Sequence, residues 1–213
     1  MGKRGRGRTT AILYNLRLRM TFSRLALVGS GLAGLALGLS SCLKEPEYSI
    51  TPAISFNDIR VIRKLPAAGA QALDSIRMTI NYQDGDGDLG LSSDDQKVAP
   101  FTFLNPDSTY NKFNSNFFIE VFIRNPATGR YELQVTKTTT SPAGYNGAFP
   151  HPTTDTDSRS APIKGTLTYA PIAFGLGDLF QPRDSVRFEI SILDRALHMS
   201  NTITTRAVYI APR

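Results

Sequence analysis

Two eleven-residue stretches, DSIRMTINYQD at 74–84 and DSVRFEISILD at 184–194, align without a gap. Each opens with Asp-Ser, continues with a branched apolar residue and Arg, and then alternates apolar with polar positions to a closing Asp. In the first, Ile76, Met78, Ile80 and Tyr82 fall on one side, with Arg77, Thr79, Asn81 and Gln83 on the other. In the second, Val186, Phe188, Ile190 and Ile192 fall together. Successive side chains of a strand point to opposite faces, so a period of two marks a strand with one face buried. No stretch after residue 42 sustains apolar residues at helical spacing. The alternation therefore predicts an all-β domain.

Further strands follow from the same pattern. One is expected around 54–62. NFFIEVFIR and RYELQVT flank the turn sequence at 125–129 and read as a hairpin, KGTLTYA is another candidate, and NTITTRAVYI closes the chain. About seven short antiparallel strands separated by turn signals predict an immunoglobulin-like β-sandwich over 53–213. The matched stretches are its second and sixth strands, which in such a sandwich face each other across the core and run the same way. Asp84 and Asp194 are then expected at one end, with the loops 84–115, 138–161 and 194–200. Long loops held on a rigid scaffold are where function concentrates. Phe118 and Phe122 make both faces of their strand apolar, and packing under a neighbouring segment is favoured over an interaction patch.

The charge balance excludes one class of partner. The formal net charge is +6, but Lys3, Arg4, Arg6, Arg8, Arg17, Arg19 and Arg24 all precede residue 42, and no acid does. The remaining 17 basic and 18 acidic residues nearly cancel, so the basic footprint of a nucleic-acid binder is missing. Those charges lead into LALVGSGLAGLALGL at 25–39, an uncharged apolar run too short for a membrane span and laid out as a secretory signal. Met20 gives a signal of more ordinary length, so translation is expected to start there rather than at Met1.

LSSC, Leu39 to Cys42, follows directly and resembles the lipobox of bacterial lipoproteins. The resemblance implies that residues 1–41 are a removed signal peptide and that Cys42 is acylated (palmitate) and becomes the first mature residue. Cys42 is the only cysteine, which excludes an internal disulfide. Residues 42–52 then read as a proline-containing tether. Lys44, Glu45 and Glu47 resemble the charged export signal of Bacteroidota surface lipoproteins, although Pro46 departs from it. An outer-membrane, lipid-anchored location follows, on the cell surface or the periplasmic face.

DGDGDLG at 84–90 is the candidate site. Calcium takes six to eight oxygens, and carboxylates at alternate positions converge on one ion where glycine lets the chain curl. Counting Asp84 as position one, Asp86 and Asp88 stand at three and five, Ser92 at nine and Asp95 at twelve. The helix-loop-helix calcium loop needs glycine at six, where this chain has Leu89, so only the ligand logic carries over. The expected calcium ligands are Asp84, Asp86, Asp88 and Asp95, joined by Asp194 and Asn201 from the facing loop. The competing reading is a solvated Asp-Gly turn. YQDGDGDLGL is similar to a stretch of uncharacterised Bacteroidota lipoproteins, and DRALHMSNTITT at 194–205 resembles the ending of bacterial immunoglobulin-like domains. These resemblances imply fold and compartment and transfer no activity.

DSI at 74–76, DST at 107–109 and DSV at 184–186 resemble the Bacteroidota O-glycan acceptor; the first and last start strands, which leaves Ser108, in a loop, as the candidate. His151 and His198 are the only histidines, too few for a zinc site. Neither a nucleophile elbow nor a phosphate loop is present, and no Trp is available for sugar stacking. The residues favour a non-catalytic envelope lipoprotein that binds a protein or glycan. A hydrolase using loop aspartates, or an accessory subunit of an outer-membrane complex, are the alternatives.

Overall fold

A computed structural model describes residues 47–63, 74–152, 161–174 and 180–210, all within the compact unit Pro46–Arg213. The signal segment, Met20, Cys42 and the Lys44-Glu45 pair lie outside the described residues. Among the described residues eight strands form: β1 (Ala53–Arg63), β2 (Asp74–Asp84), β3 (Phe117–Arg124), β4 (Tyr131–Leu133), β5 (Ile163–Phe174), β6 (Ser185–Ile192), β7 (Ile203–Thr204) and β8 (Val208–Tyr209). They make two antiparallel sheets, one ordered β1-β2-β5 and the other β4-β3-β6-β7, with β8 also on β6. Among the described residues the only helical pieces are two 3₁₀ turns, Asp95–Lys97 and Lys112–Asn114. No described helix is long and apolar enough to cross a membrane.

The period of two decides the burial. In β6, Val186, Phe188, Ile190 and Ile192 are buried, while Arg187, Glu189 and Ser191 are not. In β2, Ile76, Met78 and Ile80 are fully buried and Arg77 is exposed. β1 breaks its own alternation, with apolar residues at 54 and 56 and then at 59 and 61. Its pairing with β2 shifts between Phe56 and Asp58, so Asn57 is an extra residue. This bulge returns Ile59 and Val61 to the inner face. In β5 the shift falls between the partners Ile172 and Tyr169, which places Pro171 at an irregularity of an edge strand, where a missing N–H is tolerated.

The closing segment read as one strand is two short pieces. Thr205 Oγ1 accepts from Phe188 N at 3.0 Å and donates to Arg206 O at 2.9 Å. The hydroxyl thus takes the place of a backbone acceptor and interrupts the ladder between β7 and β8. β4 also stops earlier than the sequence pattern suggests, at Leu133, although Gln134 N still bonds Val121 O.

Both sheets feed one apolar core. Ile59, Ile76, Met78 and Ile80 from the first cluster with Phe117, Ile119, Val121, Phe188, Ile190 and Ile192 from the second. Fully burying one such side chain contributes roughly 1.5–3 kcal/mol. β2 and β6 are flanked on both edges, and their ends meet where Leu89 bridges Asp194. The register then fixes what else lies there: Ala53 of β1 pairs with Gln83, Ile163 of β5 with Asp84, and Phe117 of β3 with Ile192. Residues 47–52 and the segments 85–116 and 193–202 share this end.

Candidate metal centre

β2 ends at Asp84, and the following turn is packed against other backbone. Gly85 N donates to Ser49 O at 2.8 Å. A Cβ at Gly85 would lie 2.4 Å from Tyr48 O, and one at Gly87, whose φ is +71°, would lie 2.3 Å from Ala161 O. Glycine at these two positions is therefore demanded by the neighbouring chain as well as by the turn. The interleaved aspartates converge: one carboxylate oxygen from each of Asp84, Asp86 and Asp88 lies within 4.8 Å of the others. Two oxygens bound to one calcium at about 2.3–2.6 Å can be at most about 5 Å apart, so a single ion can bind all three.

Asp84 is 0 % exposed. Its Oδ2 accepts from Asp88 N at 3.1 Å, while its buried Oδ1 has no hydrogen-bond partner. Burial, followed by the charges of Asp86, Asp88 and Asp194, pushes its carboxyl up to about 7. Asp88 Oδ2 accepts from Ala196 N at 2.9 Å, and its Oδ1 is likewise buried without a partner. Burial and the charges of Asp194 and Asp86 raise the Asp88 carboxyl, against the pull of Ala196 N–H and Arg195. Buried acceptors normally find donors. Here the unpaired oxygens belong to carboxyl groups crowded at one turn, and a hard cation takes oxygens of this kind.

Asp194 adds negative charge beside the group, but its own oxygens are engaged. Oδ1 accepts from His198 N at 2.7 Å and Oδ2 from His198 Nδ1 at 2.9 Å. The side chain is fully buried and closes the 194–198 turn.

Two expected ligands stand apart. Asn201 Oδ1 accepts from Ile54 N at 2.8 Å and its Nδ2 donates to Ile54 O at 2.9 Å. The amide joins β1 to the segment before β7. Asp95 Oδ2 accepts from Ser92 N and Oγ, both at 2.7 Å, and lies 2.9 Å from His151 Nε2. Burial alone would raise the Asp95 carboxyl, but Ser92 and His151 hold it below its ordinary value. Asp95 thus folds the long loop onto residue 151 instead of joining the three aspartates. Of the residues read from spacing, the structure brings Asp84, Asp86 and Asp88 together, with the charge of Asp194 beside them.

Sequence reasoning missed the Asp95–His151–Arg195 contact, in which Arg195 Nη1 lies 2.7 Å from His151 Nε2. Its three members are separated by 44 residues or more, and no local pattern connects them. The Asp194–His198 pair has an i, i+4 spacing that could have suggested it. Ser108 is exposed in a turn at φ +64°, whereas Ser185 is buried and bonded to Tyr131 at 2.7 Å. Phe122 is half-buried under Arg187, whose guanidinium sits 5.5 Å from its ring and 4.5 Å from that of Tyr131. Phe118, also half-buried, lines a shallow cavity beside Lys137 and Asn146. Comparison with known proteins adds no family: no family profile, curated relative or solved structure matches the chain.

Proposed function

We propose that the chain is a lipid-anchored, non-catalytic cell-envelope lipoprotein, an immunoglobulin-like β-sandwich whose aspartate turn is closed by calcium. The observation that carries the metal reading is Asp84, a fully buried carboxylate with one oxygen unpaired and three aspartates around it. Asp84, Asp86 and Asp88 would hold the ion, which would offset their mutual repulsion and hold the turn that Ala196 N already bonds through Asp88 Oδ2. The strand orders support the sandwich: the chain moves from one sheet to the other between β2 and β3, and again between β4 and β5 and between β5 and β6. The lipobox at Leu39 to Cys42 supports the outer-membrane anchor. The role is then to present a rigid end or a sheet face to a protein or glycan partner.

One geometric feature favours a second reading. His198 Nδ1 is held by Asp194, an orientation that suits a general base, and a hydrolase using loop aspartates would exploit it. Replacing Asp84 and Asp88 by Asn separates the two. A structural metal loop loses calcium-dependent stability, whereas a hydrolase loses turnover with its fold intact. For the anchor, the mature protein should begin at Cys42 and carry an acyl mass there, which Cys42→Ala should remove. A wild-type protein without an acyl mass at Cys42 would overturn the lipoprotein reading.

A further inference from the structure

Resting on the lipid anchor at Cys42, we infer that the aspartate end is the membrane-docking face of the domain, with apolar loop tips that enter the lipid interface. The tether meets the fold at this end, where Ser49 O accepts from Gly85 N. Cys42 precedes Ser49 by seven residues, a span of at most about 25 Å even when fully extended. β2, with 11 residues, is about 36 Å long. With the strands upright, the anchor is too short to bring the opposite end, where Tyr209 lies, to the bilayer.

The exposed apolar surface is distributed accordingly. Among the described residues nine large apolar side chains are exposed, and six of them, Ile50, Val98, Phe103, Leu104, Leu197 and Met199, belong to the tether or to loops at this end. Their exposure is built in. Asn111 Nδ2 donates to Pro100 O at 2.6 Å and Thr102 O at 2.8 Å, and Asn114 Nδ2 donates to Phe101 O at 2.8 Å. These bonds bury Phe101 and leave Phe103 and Leu104 outside, at 56 % and 47 % exposure. Leu197 is held at φ +68°, a conformation that costs a non-glycine residue energy, and its side chain still faces solvent. Exposed apolar side chains on loops that leave and re-enter the fold at the end where the tether joins it fit a bilayer interface.

The test uses the acylated protein in vesicles of phosphatidylethanolamine and phosphatidylglycerol with brominated acyl chains. Cys42 is blocked by acylation, so Phe103→Cys, Val98→Cys or Tyr209→Cys each supplies one thiol for a fluorescent label. Flotation with the vesicles and the acyl mass at Cys42 report the anchor independently. The expected result is quenching at 103 and 98 several-fold greater than at 209. Equal or reversed quenching in protein that floats overturns the inference and leaves the lipoprotein reading standing. Protein without an acyl mass that fails to float overturns both. Labels shielded in native envelopes but unquenched in vesicles would assign the patch to a protein partner and overturn lipid docking.

Discussion

Neutralising Asp84 should have opposite effects with and without calcium. Its carboxyl is raised from 3.8 to about 7 by burial and by its acidic neighbours. One pKa unit corresponds to about 1.4 kcal/mol, so ionising Asp84 in the folded, metal-free protein costs at most about 4 kcal/mol. The folded state holds this proton more tightly than the unfolded chain does. The associated stability is fully present below pH 3.8, falls as pH rises toward about 7 and is gone above it. The proposed calcium would act in the other direction, because it would bind the ionised carboxylates and displace the proton. At a hundredfold excess over Kd it stabilises by about 2.7 kcal/mol, which in a domain of this size raises Tm by about 5–11 °C. Asp84→Asn can still accept from Asp88 N, so the turn keeps its bond. In chelator at pH 8 the variant should melt at or above the wild-type temperature. In calcium it should melt below wild type, and its pH dependence between 5 and 8 should flatten. Differential scanning calorimetry in chelator, calcium and magnesium reads all three. An Asn variant that melts below wild type in chelator at pH 8 would refute the charge-crowding account. Equal stabilisation of wild type by magnesium would refute calcium as the fitted ion.

Other substitutions test the remaining assignments. Asn201→Ala removes both hydrogen bonds to Ile54 and should cost about 1–3 kcal/mol in urea unfolding, while the calcium-induced rise in Tm stays intact; loss of that rise would return Asn201 to the ligand set. Gly87→Ala forces a Cβ to within 2.3 Å of Ala161 O at φ +71°. Calcium titration by calorimetry should show at least tenfold weaker binding, and unchanged affinity would mean that the turn adapts freely. Phe188→Ala opens the fully buried centre of β6 and should lower stability by about 3–5 kcal/mol in urea unfolding; a loss under 1 kcal/mol would mean that the core closes over the gap.

Much of the fold is legible in single stretches because burial on one sheet face writes a period of two into the chain. The 74–84 and 184–194 match identifies two interior strands. The phase slip from Phe56 to Ile59 in β1 is the written trace of its bulge. The last strand is less legible, since a threonine that bonds the ladder through its side chain looks like any β-branched strand residue. Of the site, the Asp-Gly alternation alone marks Asp84, Asp86 and Asp88, because three acids two residues apart need either solvent or a cation. The sequence also determines the charge division between residues 1–41 and the remainder, and the lone cysteine after its apolar run. Only the tertiary structure decides that Asp84 is fully buried with an oxygen unpaired, since that depends on chain packed over it from elsewhere. It likewise shows Asn201 bonded to Ile54, and Asp95 bonded through Oδ2 to Ser92 and His151 and outside the group of three aspartates. Spacing records which acids are close along the chain, while burial and bonding partners come from segments far apart in sequence.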